Sequence, residues 1–460
     1  MKMIDLKDII KLFKIDTYKE VKHVSFTNVT NNIKKINNDT LVFHIYKKDE
    51  LNVEEYNNLS NCYIVTDQPI LKSQSIVSGN ILYVTNVKKA YSTFINYYRA
   101  LFDIPVVAIT GTCGKTTTKE MIKHVLENKY KVAATKSSRN SLEFNLEYLL
   151  SIDEETEFGV FETGVSYPGN LILGCEYFKP TIGVITNIGM DHLSGCKTFE
   201  NYMRTKGEML AGLGYEGTLI INNDDTNIKQ LDFSPYEGTI ITFGIMDQAN
   251  FFADQIKYED EGMSFCLHYD SKAYEAYAPG FGEHNVYNAL AALSVLDTLG
   301  IDLEESIEYL SSFKHIRSHL QFHNGINNSI IVDDTWSSNP PSMKAAFEVL
   351  SNKGKEKVKI VVLGKLPSQG DYAIEHYKQI AQLIIDYKID FLITKSSITN
   401  NVSKKVEELG MNEDRIIHCK NNTQVKSALE GLLDANSIVL FKKSMFDQSI
   451  TKIMNKYISD

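Results

Sequence analysis

Glycine is missing from the first 78 residues of this 460-residue chain, while half of its 26 glycines lie between Gly111 and Gly217. That distribution excludes a glycine-rich dinucleotide turn near the start and places chemistry that needs close backbone approach in the middle. Six cysteines, at 62, 113, 175, 196, 266 and 419, form no C-x-x-C pair. Neither a zinc ribbon nor a disulfide framework is suggested, and the thiols fit a reducing compartment. No apolar run approaches the ~18 residues of a membrane span. Met1-Lys-Met-Ile-Asp-Leu-Lys7 lacks the apolar stretch of a secretory signal, so a cytoplasmic protein is expected. A basic surplus is missing too: the net charge is −10. This argues against a nucleic-acid surface and leaves room for a local basic pocket that takes an anionic small molecule.

What is present is ordinary globular composition, 43% apolar and 23% charged. At roughly 150 residues per domain the length predicts about three domains. Residues 1–101 carry short β-like runs, Thr40–Tyr46 and Cys62–Thr66, between polar stretches, and read as a small α/β domain. Residues 102–312 open, after a helical approach over Tyr91–Leu101, with the buried-strand pattern Ile104–Thr110. Strands at Glu157–Glu162, Ile182–Thr186 and Gly217–Asn222 then alternate with helices at Thr116–Asn128 and Phe199–Leu213. Helices at Asn285–Leu299 and Leu303–Ser312 close this block. Residues 313–460 repeat the alternation, with strands at Ser329–Asp333, Val358–Leu363, Asp390–Thr394 and Ser437–Phe441, and helices at Pro341–Leu350, Ala373–Tyr387 and Thr423–Leu433. The prediction is α/β throughout: a small N-terminal domain, a central mostly parallel sheet and a C-terminal Rossmann-like domain. Active sites of such sheets gather at the carboxyl ends of strands.

One such end carries Gly111-Thr-Cys-Gly-Lys-Thr-Thr-Thr118. Between a buried strand and a helix, the backbone N–H groups of Gly111, Thr112, Gly114 and Thr117 and the helix N-terminus can cradle phosphates. Lys115 would then pair with the β- and γ-phosphates, and the Thr116 hydroxyl would hold Mg²⁺. The full G-x-x-x-x-G-K-[ST] pattern would need glycine at position 109, where Ile109 stands. The plainer alternative is a strand-to-helix turn with an exposed lysine. A guanine reader would want N-K-x-D, which is absent.

Further motifs follow in order: Phe161-Glu-Thr-Gly164, Thr186-Asn-Ile-Gly-Met-Asp-His-Leu193, Lys206-Gly-Glu208, Gly282-Glu-His-Asn-Val-Tyr-Asn-Ala289 and Asp333-Asp-Thr-Trp-Ser-Ser-Asn-Pro340, the last continuing Pro-Ser-Met343. With the phosphate loop, this series resembles the Mur ligases, which form successive amide bonds of the peptidoglycan stem peptide. The last motif is most like that of the member that adds D-alanyl-D-alanine. The resemblance spans about Ile104 to Ser444 and implies an ATP- and Mg²⁺-dependent ligase. Such an enzyme joins small-molecule carboxylate and amine substrates through an acyl phosphate, and a monomer without nucleic-acid partner or membrane span is expected.

By resemblance Glu162 and His192 help hold Mg²⁺, and Lys206 is a carbamylated lysine that completes a second metal site. Arg317 reaches the nucleotide's phosphates. Asn222, His284, Asn288 and Asp334 belong to the nucleotide region, and Asn140, Asn339, Ser342 and Lys442 to the substrates. Each has a bland alternative: a solvated strand end for Glu162, a capping or core histidine for His192, an exposed helical lysine for Lys206, a surface arginine for Arg317 and N-capping for Asn285. The acceptor side departs from the family. Its D-S-R and D-G-H motifs are replaced around Thr27–Ile33 and Asn38–Phe43, and its N-x-N-N-x-x-G-x-P loop is reduced to Ser138-Arg-Asn-Ser-Leu-Glu-Phe-Asn-Leu146. The carboxylate substrate is therefore open between a UDP-linked peptide and another acid of a specialised pathway. A nucleotide-binding paralogue without activity is the reading from another class, and the intact Lys115, Glu162, His192, Lys206, Arg317 and Asp334 weigh against it.

Overall fold

The computed structural model describes residues 1–16, 23–45, 59–68, 80–366, 372–445 and 447–459. The strand expected at Thr40–Tyr46 runs over Thr40–Phe43, and Tyr46 lies outside the described residues. No described helix is long and apolar enough to cross a membrane.

The first sheet is four-stranded and parallel, in the order Asn28–Thr30, Thr40–Phe43, Tyr63–Thr66, Ile81–Tyr83. The helix Val87–Arg99 covers it because Val87, Ala90, Tyr91, Phe94, Ile95 and Tyr98 recur at helical spacing and are all buried. Asn86 caps its start by accepting from the Lys89 N–H. At its end the buried Arg99 guanidinium donates to the carbonyls of Phe178, Phe102 and Ile104 at 2.6, 2.6 and 3.1 Å. Those carbonyls belong to the entrance of the next sheet, so one cation ties the first layer to the second.

The central sheet has nine strands, in the order Lys272–Pro279, Gly262–Tyr269, Phe251–Tyr258, Thr239–Gly244, Thr218–Asn222, Ile182–Ile185, Val106–Thr110, Phe158–Glu162, Val132–Ala134. From Phe251–Tyr258 onward in that order every pairing is parallel, which fits continuous β-branched runs such as the wholly buried Val106–Thr110. Met121, Ile122 and Val125 pack on one face with Val286, Leu290 and Leu293 of the helix Glu283–Thr298. Leu193, Tyr202, Met209 and Leu210 pack on the other. Each fully buried Leu, Ile or Val of this kind contributes roughly 1.5–3 kcal/mol. Successive connections leave the strand Val106–Thr110 to both sides, so the loop after Thr110 sits at the topological switch point.

The three antiparallel strands between Phe251 and Pro279 were not anticipated from sequence. Their hairpin turns on Asp270-Ser271, both at positive φ (45° and 62°), a primed turn without the Asn-Gly or Asp-Gly dipeptide that usually announces one.

The third sheet has six strands, Gln321–Asn324, Ile330–Asp334, Ser437–Lys442, Val358–Leu363, Phe391–Thr394 and Ile416–His418 in spatial order. Only the first edge pairing is antiparallel. Parallel register sets Asp334 opposite Lys442 at the carboxyl edge, facing the central sheet's own carboxyl edge.

Candidate functional site

Between these two edges lies a cleft of about 360 Å³, lined by residues 112–117, Asn140, Glu162, His192, Asn222, His284, Asn288, Asp334, Asn339 and Ser342 among others. The phosphate loop forms its floor. Gly114 is the N-cap of the helix Lys115–Leu126, with φ 82°, and a Cβ there would stand 2.2 Å from Asn288 Oδ1. Glycine is thus required both by backbone conformation and by the approach of the helix that carries Asn288. Lys115 Nζ donates to the carbonyls of Gly111 and Thr112 at 2.9 and 3.1 Å. Thr112 Oγ1 meets the Tyr202 hydroxyl at 3.1 Å, and Thr117 is buried beneath the loop.

Thr116 and Glu162 come from different elements and meet: the threonine hydroxyl donates to Glu162 Oε2 at 2.8 Å. Asn140 Nδ2 donates to the other carboxylate oxygen at 2.5 Å. Glu162 is 2% exposed, so it is no solvated strand end. The hydroxyl and the carboxylate, brought together from a helix start and a strand end, are hard oxygen donors that fit Mg²⁺.

Lys206 sits inside the buried stripe Tyr202, Thr205, Lys206, Met209, Leu210 of the helix Phe199–Gly212, whose start is capped by Thr198. It is 1% exposed, and its Nζ donates to Thr110 Oγ1 at 3.2 Å and to the Gly111 carbonyl at 2.9 Å. Burial first, then the Lys115 charge, holds its pKa well below the usual lysine value. Burial here thus favours the neutral amine over the cation.

His192 stands at φ 50° just before a short helix, half exposed and stacked toward Tyr202 at 6.4 Å between ring centroids. Burial lowers its pKa, with the neighbouring Lys206 and Lys115 charges acting in the same direction and Asp191 against them. Asp191 is held below the usual carboxylate range although burial acts to raise it, because His192 and the Asn339 amide outweigh that cost.

Across the cleft Asn339 caps the helix Pro340–Lys353 by accepting from the Ser342 N–H at 3.0 Å. The same side chain donates to Asp191 at 2.9 Å and accepts from the Cys113 thiol at 3.1 Å. It thus clasps the third domain to the phosphate loop. Burial pushes the Cys113 thiol up to about 11, so it stays a donor.

Other expected residues are placed differently. Lys442 is fully buried and ion-paired with Asp334, and it does not line the cleft. Lys443 is buried and donates to the Thr335 carbonyl. Arg317 is exposed and outside the cleft, and its guanidinium makes no hydrogen bond or ion pair among the described residues. Asn285 is not an N-cap: Gly282 is, while the Asn285 amide donates back to the Pro279 and Gly280 carbonyls. Asn222 reaches the cleft wall, its side-chain oxygen accepting from the Asp224 N–H, and Asp224 itself holds three backbone N–H groups and the Tyr287 hydroxyl. The imidazole of His284 is pushed down to about 3, chiefly by burial and then by His315.

Residues 109–296 match the Mur ligase middle domain. The UDP-N-acetylmuramoyl-tripeptide–D-alanyl-D-alanine ligase of Bacillus subtilis is 28% identical over 339 residues, 74% of this chain and 73% of that protein. Its counterpart from Buchnera aphidicola is 27% identical over 82% of this chain and 80% of its own. Among solved structures, MurF from Acinetobacter baumannii superposes with a TM-score of 0.85 at 20% identity, covering 99% of both chains. MurF from Thermotoga maritima in complex with ADP reaches 0.79 at 20% identity, covering 93% of this chain and 97% of its own.

The middle of the chain, residues 109–296, carries a Mur ligase middle domain. The solved structures share the three-part α/β fold described above, and the chain is an ATP-dependent carbon–nitrogen ligase. Sequence reasoning missed three features of its cleft. Asp191 was visible inside the motif that supplied His192 but was not singled out. His315 and His319 line the cleft on either side of Arg317, the second stacked on Trp336 at 5.7 Å. The Cys113–Asn339–Asp191 clasp joins residues 226 and 148 positions apart, which no local pattern announces.

Proposed function

We propose that this chain is a Mur ligase that joins a D-alanyl-D-alanine-type dipeptide to the terminal carboxylate of a UDP-muramoyl-tripeptide in the cytoplasm. The observation that carries the reading is the convergence of Lys115, Thr116–Glu162 and His192 in one cleft facing Asp334 and Asn339, with Lys206 buried against the start of the phosphate loop. In this reading residues 1–101 receive the carboxylate substrate, 102–312 the nucleotide and 313–460 the amine.

Joining a carboxylate to an amine at neutral pH requires activation. The γ-phosphoryl of ATP passes to the carboxylate oxygen, ADP leaves, and the amine nitrogen attacks the acyl carbon, expelling phosphate and losing a proton. Phosphoryl transfer between anions is chiefly positioning plus charge neutralisation. The loop N–H groups and Lys115 orient the phosphates, and Asn288 and His284 flank the base. When bound, Mg²⁺ supplies the remaining positive charge. Thr116 and Glu162 would hold one ion, and His192 with Lys206 a second. Burial that favours the neutral form of Lys206 suits it to carbamylation: the amine nitrogen adds to CO₂, a proton is released, and a basic side chain becomes a carboxylate-like ligand.

The substrate's remote end has a place as well. A groove of about 1100 Å³ runs between the first sheet and the helix Asn145–Leu150, lined by Asn28, Asn31, Asn32, Lys34, Lys35 and Lys88. These lysines suit a diphosphate, but no arginine lines the groove. That observation favours a second reading, in which the same chemistry acts on a different anionic acid. ADP release measured with UDP-muramoyl-tripeptide and with a panel of other acids, each with and without the dipeptide, separates the two. Turnover with no acid–dipeptide pair would count against both.

A further inference from the structure

On the central sheet's antiparallel extension, far from the phosphate loop in sequence, three donor side chains share one face. The strands Phe251–Tyr258 and Gly262–Tyr269 pair Asp254 with Cys266, and Glu275 pairs with Cys266 from the other side. His268 follows Cys266 by two residues and therefore points to the same face. Its Nε2 lies 2.9 Å from Asp254 Oδ1. One donor atom each from Asp254, Cys266 and His268 lies within 4.8 Å of the other two, the single grouping of this kind among the described residues. The opposite face is apolar and sealed: Ala253, Phe265 and Leu267 are buried against the core. The donor face opens to solvent, with the Asp254 and His268 side chains 43% and 40% exposed and Cys266 at 7%.

We propose that Asp254, Cys266 and His268 form a binding site for one borderline-soft divalent cation, Zn²⁺, with water as fourth ligand. Thiolate, imidazole and carboxylate are the donor set this ion prefers, at about 2.0–2.3 Å each. A tetrahedral site brings its donors to roughly 3.5 Å of one another. Side-chain rotation closes the present spacing, because strand register already fixes the Cα positions. On binding, the Cys266 thiol gives its proton to solvent and His268 coordinates in its neutral form. The bulge after Asp254, where Gln255 takes φ 51°, loosens the ladder at this point. The cation acts there as a cross-strand staple. The sheet it braces packs on the helix Glu283–Thr298, which carries His284 and Asn288 into the nucleotide cleft. The role is structural, and turnover does not depend on it.

The test uses the full chain, stripped by chelation and titrated with Co²⁺ as a spectroscopic stand-in, then with Zn²⁺. The expected result is one cobalt per chain with a thiolate charge-transfer band, displaced by Zn²⁺ and not by Mg²⁺. The band disappears in Cys266→Ser and affinity falls at least tenfold in His268→Gln, a surface change that leaves the fold intact. It persists in Cys113→Ser and Glu162→Gln, which alter the ligase cleft instead. Zn²⁺ raises the Tm of the wild type but not of His268→Gln. A missing band, a band that survives Cys266→Ser, or one lost with Cys113→Ser overturns the proposal.

Discussion

The cleft between the two carboxyl edges and the N-terminal groove are built on opposite plans. In the cleft nearly every polar side chain is buried at a strand end or helix start and held by another: Glu162 by Thr116 and Asn140, Lys206 by Thr110 and Gly111, Asn339 by Ser342, Asp191 and Cys113. In the groove Asn28 lies on the strand Asn28–Thr30 and Lys34 and Lys35 on the turn after it, with hydrogen bonds to near neighbours, while Asn31 reaches the Tyr91 hydroxyl at 3.2 Å and Lys35 reaches Glu147 at 3.4 Å. The contrast predicts that substitutions in the groove cost the reaction less than substitutions in the cleft.

The largest effect that would sharpen this contrast is expected from Lys115→Ala, which removes the phosphate cation and should lower ADP release by about 10³-fold or more. Steady-state ADP assays check it, and a loss under tenfold would break the cleft's side of the comparison. Lys206→Ala follows, with a loss of roughly 10²–10³-fold. Partial rescue by added short-chain carboxylates is the signature that separates a carbamate from a packing role, since a buried packing lysine would not respond.

How far these differences were legible in sequence depends on the range of the interactions. The strands Val106–Thr110 and Val358–Leu363 and the helix Phe199–Gly212 follow from apolar runs and periodicity, and the phosphate loop from its glycines and lysine between them. Burial of Lys206 was readable only through the motif, because one lysine in a helical stripe otherwise reads as a snorkelling surface residue. The Asp334–Lys442 pair depends on a register between strands over a hundred residues apart, and the outward placement of Arg317 on a turn where Ser318 and Leu320 take positive φ. Neither is a local property of the chain.

The clasp at the interface gives an intermediate prediction. Asn339→Ala should cost about 1 kcal/mol through the lost helix cap, and should also lower kcat several-fold by loosening domain closure. A stability loss with unchanged kcat would reduce Asn339 to a cap alone. Nearby, His376 is fully buried, and neither ring nitrogen has a partner among the described residues. Burial pushes its pKa down from 6.5 to about 4, with the Asp191 charge acting the other way. The unfolded chain therefore takes up this proton first. Stability is full above pH 6.5 and declines as pH falls toward 4, by up to about 3 kcal/mol. Denaturant melts of His376→Leu should show a flatter acid limb than the wild type, and an unchanged limb would place the acid sensitivity elsewhere.

The smallest effect is expected in the groove. Lys34→Ala with Lys35→Ala should raise KM for the carboxylate substrate a few-fold, more at low salt, with kcat unchanged. A large fall in kcat would erase the contrast between the two regions.

The most direct test of the central claim is ADP formation by the wild-type chain with UDP-muramoyl-tripeptide and D-alanyl-D-alanine, supplied singly and together. Sustained ADP and phosphate release only when both are present, with the amide product in equal amount, is the predicted result. ATP hydrolysis that is indifferent to either substrate would contradict it.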